Sequence, residues 1–160
     1  MRKLIFVISI FLLLAAAALP QQSKTAAPKK PDSCALVTKA EIQEAVGGTV
    51  ADGAPNTGNS AMCDYKVGDY GAISFWRRQA GPDDTADKMM AELKKRNIEF
   101  AEAKGIGDRS LFVSPGYGMV SLNTFKGTNY IILTALIPGA AEPKTKAICE
   151  KLMQKALTRL

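Results

Sequence analysis

The sequence predicts an α+β domain, a central antiparallel sheet of five to six strands with three helices packed on it. Three observations carry that expectation. Period-two apolar positions recur in short runs bounded by glycine turns, as at Tyr65, Val67, Ile73 and Phe75. Helical spacing appears three times, after Thr38, after Asp84 and from Pro143 onward. The order is a short helix then two strands, a medium helix then three strands, and a closing helix.

The first segment falls outside that domain. Met1-Arg2-Lys3 is basic, and Leu4 to Ala18 is apolar apart from Ser9. Ala16-Ala17-Ala18 supplies a small-residue cleavage site, so residues 1–18 read as a secretory signal peptide. A retained membrane anchor is the alternative, although the run falls short of the roughly 20 residues of a spanning helix. The first cysteine is Cys34, too distant for a lipidation site. Residues 19–32 carry Lys24, Pro28, Lys29, Lys30 and Pro31 and read as a flexible linker. Its lysines suit either a solubilising spacer or contact with an anionic surface. Residues 33–160 read as a single α+β domain.

Composition excludes several chemistries. The formal charge of +6, less Arg2 and Lys3, leaves +4. No aromatic-basic interleaving points to nucleic acid. Histidine is absent from the 160 residues. That removes Ser-His-Asp triads, Cys-His pairs and histidine metal sites, and leaves carboxylate and lysine chemistry. No cofactor and no metal is expected. Three cysteines in an exported chain suggest one disulfide and one spare thiol. Cys34 and Cys63 flank the first helix and are the favoured pair. Cys34 with Cys149 is the competing pairing, and spacing does not choose between them.

The elements follow in order. Thr38 with Glu41 forms a capping box; Ile42, Ala45 and Val46 share a helix face, and Gly47-Gly48 stops it. Residues 50–60 are a loop by composition. Strands are expected over 63–67 and 71–77, turning at Gly68-Asp69. Trp76 then points away from Ile73 and Phe75, followed by Arg77 and Arg78. It offers a platform for a ligand or partner, or is covered by a loop or tail. Pro82-Asp83-Asp84 opens the second helix, with Asp84 as N-cap and Met89, Met90 and Leu93 as its buried stripe. Lys94-Lys95-Arg96 suits the negative end of the helix dipole.

Residues 98–101 read as a short edge strand. Leu111–Val113 is a strand, Ser114-Pro115-Gly116 a turn, and Met119, Val120 and Leu122 lie on the next strand, with Phe125 near its end. After a turn at Gly127-Thr128-Asn129, Tyr130 to Ile137 is the most apolar strand, expected to be central and covered on both faces. The last helix buries Ile148, Cys149, Leu152, Met153, Ala156, Leu157 and Leu160. Lys144, Lys151, Lys155 and Arg159 form its basic side.

Gly105-Ile106-Gly107-Asp108 lacks the third glycine and the following helix of a dinucleotide fingerprint. It reads as a tight turn in which Asp108 accepts backbone hydrogen bonds. A functional reading has Asp108 and Arg109 facing a ligand. Asp83, Asp84, Asp87 and Glu92 could supply a carboxylate pair, but acidic residues also suit a helix start.

Cys34 followed by Leu36, Thr38 and Ile42, then Gly47, then Cys63-Asp64-Tyr65, and Gly105-Ile106-Gly107-Asp108 with Phe112 form a further pattern. On these residues the chain resembles, from Cys34 to Leu160, a group of small exported bacterial domains of unknown function, many carried by actinobacterial lipoproteins. The resemblance implies a PsbP-like α/β/α sandwich, a Cys34–Cys63 bridge and no catalytic residues. The chain departs from the group in lacking the lipobox cysteine and in having Cys149. The expected function is that of an exported, non-enzymatic binding or interaction domain of the bacterial cell envelope. Its partner would be another envelope protein or a small apolar ligand, with no stable membrane insertion of the mature chain. A histidine-free carboxylate-dependent hydrolase and a structural envelope component are the alternatives.

Overall fold

Residues 32–160 are described by a computed structural model. The expected signal peptide and all of the linker except Asp32 lie outside them. A 3-10 turn, Asp32–Ala35, leads into helix α1, Lys39–Val46. The capping box is present: Thr38 Oγ1 accepts the Glu41 amide, and Glu41 accepts the Thr38 amide at 2.8 Å. Gly47, at φ +71°, closes the helix in the left-handed conformation.

Seven strands follow: β1 (Ala54–Pro55), β2 (Met62–Val67), β3 (Gly71–Gln79), β4 (Phe100–Glu102), β5 (Arg109–Gly116), β6 (Met119–Lys126) and β7 (Asn129–Leu136). Helix α2 (Ala86–Lys95) separates β3 from β4, and α3 (Glu142–Leu157) ends the fold. All pairings are antiparallel, in the order β1-β2-β3-β7-β6-β5-β4. The fold is therefore α+β, a seven-stranded sheet with three helices. The additional strand is β1, two residues inside the stretch read as loop. Its backbone pairs with Cys63 and Asp64, a contact that composition does not announce.

One sheet face carries the core. Ile73, Phe75, Val120, Leu122, Ile131, Leu133 and Ala135 alternate inward, and α3 covers them with Ile148, Cys149, Leu152, Met153 and Ala156. Helix α1 packs on α3 and adds Ile42. The basic side of α3 is spent largely on α1: Lys151 pairs with Glu44, and Lys155 and Arg159 with Glu41. Arg159 also donates to the Leu36 carbonyl at 2.6 Å. Leu160, expected in the buried stripe, is exposed because the helix ends at Leu157.

Cys34 and Cys63 form the disulfide, and Cys149 is free and buried. Burial pushes the Cys149 thiol up to about 12.

Three local expectations are corrected. The N-cap of α2 is Thr85, whose side chain accepts the Lys88 amide; Asp84 is drawn instead to Arg78. Met89, Met90 and Leu93 are only half-buried, because α2 lies on the sheet rather than inside it. Ser114-Pro115-Gly116 is not the turn. β5 runs through it with an irregularity between Val113 and Gly116, a site where proline's missing N–H is tolerated. The turn is Tyr117-Gly118, with φ of +54° and +74°, as a type I′ hairpin requires.

Candidate functional site

The second sheet face carries the residues that point away from α3. The register aligns them in three rows. Asp64, Ser74, Thr134 and Ser121 form the first; Met62, Trp76, Ile132 and Asn123 the second; Arg78, Tyr130, Phe125 and Arg109 the third.

Helix α2 roofs the third row. Arg78 spans the join: its guanidinium bonds both Asp84 oxygens at 2.5 and 2.6 Å and lies 4.6 Å from the Tyr130 ring centre. It also lies 5.3 Å from the ring centre of Trp76. Arg78, with the Gly81 amide, holds the Asp84 carboxyl down at about 2. Tyr130 stacks on Phe125 with centroids 4.6 Å apart, and burial pushes its phenol up to about 12. Further along, Arg109 bonds Glu102 at 2.7 Å and reaches Asp87 on α2 at 3.4 Å.

The first two rows are partly buried. Trp76, Ile132, Thr134, Ser74 and Ser121 are all half-exposed. This corrects the expectation that the central strand is sealed on both faces: β7 buries Ile131, Leu133 and Ala135 but leaves Ile132, Thr134 and Leu136 half-open. The first row is a polar ladder. Ser74 donates to Asp64 at 2.6 Å, and the other Asp64 oxygen accepts Asn56 Nδ2 at 2.6 Å. Thr134 bonds Ser121 at 3.3 Å; Asn123 also reaches Ser121 and accepts the Tyr130 hydroxyl at 2.8 Å. The result is an indole and an isoleucine bordered by ordered hydroxyls, a surface able to take an apolar group with hydrogen bonds along one side.

Trp76 thus sits where the period-two reading placed it, opposite Ile73 and Phe75. Gly105, Gly107 and Asp108 lie away from it, on the turn before β5. Gly105 and Gly107 have φ of +76° and +60°, and a Cβ on Gly107 would meet the Phe125 carbonyl at 2.7 Å. Asp108 does not close its own turn. It accepts the Gly127 amide at 2.7 Å and Lys126 Nζ at 2.9 Å in the β6–β7 turn, and both lower its carboxyl pKa. Arg109 shares the sheet face with Trp76, but Phe125 and Tyr130 lie between them and α2 engages its guanidinium. The polar ladder of Asp64, Ser74, Ser121, Asn123 and Thr134 is the part that sequence reading missed. Its signal was present as polar residues at the alternate positions of four strands.

The acidic residues of the α2 region are each ion-paired: Asp83 with Lys88, Asp84 with Arg78, Asp87 with Arg109 and Glu92 with Lys95. Asp83, Asp84 and Glu92 edge a cleft of about 310 Å³ floored by Met89, Leu93 and Phe125. Among the described residues, no three His, Cys, Asp or Glu side chains assemble to hold a metal ion. Among them, too, no helix is long and apolar enough to cross a membrane. No family model matches the chain, and neither a curated protein nor a solved structure matches it.

Proposed function

We propose that this protein is an exported binding domain of the bacterial cell envelope, and that it engages its partner through the half-open sheet face centred on Trp76. The carrying observation is the pair Trp76 and Ile132, adjacent in register and half-exposed, beside the hydrogen-bonded ladder from Asp64 to Ser121. Trp76 is half-buried beside Ile132, with the Arg78 guanidinium 5.3 Å from its ring centre, and tryptophan is enriched among the residues that carry binding energy at interfaces. The Cys34–Cys63 bridge supports an oxidising compartment, as the signal-like N-terminus does. Helices on both sheet faces, α1 and α3 on one and α2 on the other, support the PsbP-like sandwich. The partner class is an envelope protein or a small apolar ligand.

The test is a cross-linking capture from envelope extract, run in parallel with wild type, Trp76→Ala and Thr134→Arg. One species captured by wild type and lost from both variants supports the proposal. The same species captured equally by all three overturns it. Trp76 is the only tryptophan, so its emission gives an independent reading of contact on this face.

A further inference from the structure

A second cleft, of about 420 Å³, opens at the end of β3 and the β6–β7 turn. It is lined by Arg77, Arg78, Gln79, Thr128 and Asn129. Two arginines and three neutral polar residues therefore line it, and no carboxylate does. The two arginines differ. Arg78 is neutralised by both oxygens of Asp84. Arg77 enters no ion pair among the described residues, whereas Arg78, Arg109 and Arg159 all do. Its Nε donates to Asn129 Oδ1 at 3.0 Å, which fixes the guanidinium plane. The Ser33 hydroxyl accepts the Arg77 amide at 2.9 Å and anchors the backbone beneath it. The two terminal nitrogens of Arg77 have no acceptor among the described residues.

A half-buried arginine with one edge fastened and the other unused is arranged to grip a planar or tetrahedral oxyanion with two parallel hydrogen bonds. We propose that this cleft is an oxyanion site. Arg77 would take the charged group, a carboxylate or a phosphate, and Thr128, Gln79 and Asn129 would offer neutral hydrogen bonds around it. The volume exceeds that of one such ion, so the natural ligand would be a larger molecule bearing the group. This site is separate from the Trp76 proposal and does not depend on it.

The experiment is an amide chemical-shift titration of the purified protein with inorganic phosphate in one arm and succinate in the other. A site of this kind gives saturable shifts at Arg77, Thr128 and Asn129. The arm that saturates at lower concentration identifies the preferred group. Arg77→Gln should weaken binding by at least about tenfold, the loss expected for charge-assisted hydrogen bonds. Arg96→Gln, on the exposed end of α2, should bind as wild type does. Gln79→Glu places a carboxylate in the cleft at an exposed position, and should abolish binding even if Arg77→Gln fails to fold. Absence of saturable shifts in both arms, or wild-type binding by Gln79→Glu, would overturn the proposal.

Discussion

Asp108 fastens a turn to which it does not belong, accepting the amide of Gly127 at 2.7 Å. Its own amide donates to Phe125 at 2.8 Å, so one residue ties the entry of β5 to the end of β6 by backbone and side chain together. Asp108→Ala should speed hydrogen exchange at the Gly127 amide and lower Tm, while Asp108→Asn, which keeps an acceptor, should recover most of both. Unchanged Gly127 exchange in the alanine variant would contradict this role.

The two glycines before Asp108 should respond differently. Gly107 combines φ +60° with a Cβ position 2.7 Å from the Phe125 carbonyl and from Thr124 Cγ2. Gly105 is equally left-handed, at φ +76°, but open. Gly105→Ala should cost about 1 kcal/mol, the strain of the conformation alone. Gly107→Ala should cost about 2–4 kcal/mol, since backbone must also move. Urea unfolding of the two variants, side by side, checks the order.

Acid should expose the carboxylates that α3 and Arg78 hold. Glu41 and Asp84 both fall to about 2 from ordinary values of 4.5 and 3.8, through Arg159 and Arg78 respectively. Because the folded state lowers both values, their stabilisation is complete above about pH 5 and fades as pH falls towards 2. Glu41→Gln should flatten that part of the stability curve. An unfolding free energy independent of pH between 5 and 2 in the wild type would refute it.

The cysteines should separate cleanly in behaviour. The Cys34–Cys63 bridge spans a sequence separation of 29, and its removal by a double serine substitution should cost about 3–4 kcal/mol. Cys149 is fully buried with its thiol raised to about 12, so a thiol reagent should modify nothing in the native protein at neutral pH and one group after unfolding. Labelling of the native state would show that α3 opens from the sheet.

The sequence made the period of the main strands and the capping of α1 legible, because both are written in consecutive residues. Thr38 and Glu41 announce their own pairing. The misread positions depend on something distant. Asp84 is a good N-cap by type, yet Arg78 takes it and leaves the cap to Thr85. Pro115 looks like a turn residue until its place at an irregular strand edge is known. The openness around Ile132 was hidden because a half-roofed strand and a fully covered one share the same apolar run; the length of α2 decides between them. The ladder from Asp64 to Ser121 needs the register of four strands, which no single segment contains.

The strand order carries a consequence for assembly. β3, complete at Gln79, has β2 on one side, and its other neighbour is β7, which begins at Asn129. A chain emerging from its N-terminus therefore holds an unfinished sheet, with an open edge along β3, until residue 136 has appeared. The disulfide can close early over the first half, but the two halves join only when the last strand enters between them. Folding should be slow to begin and abrupt to finish, its rate set by that one long-range insertion.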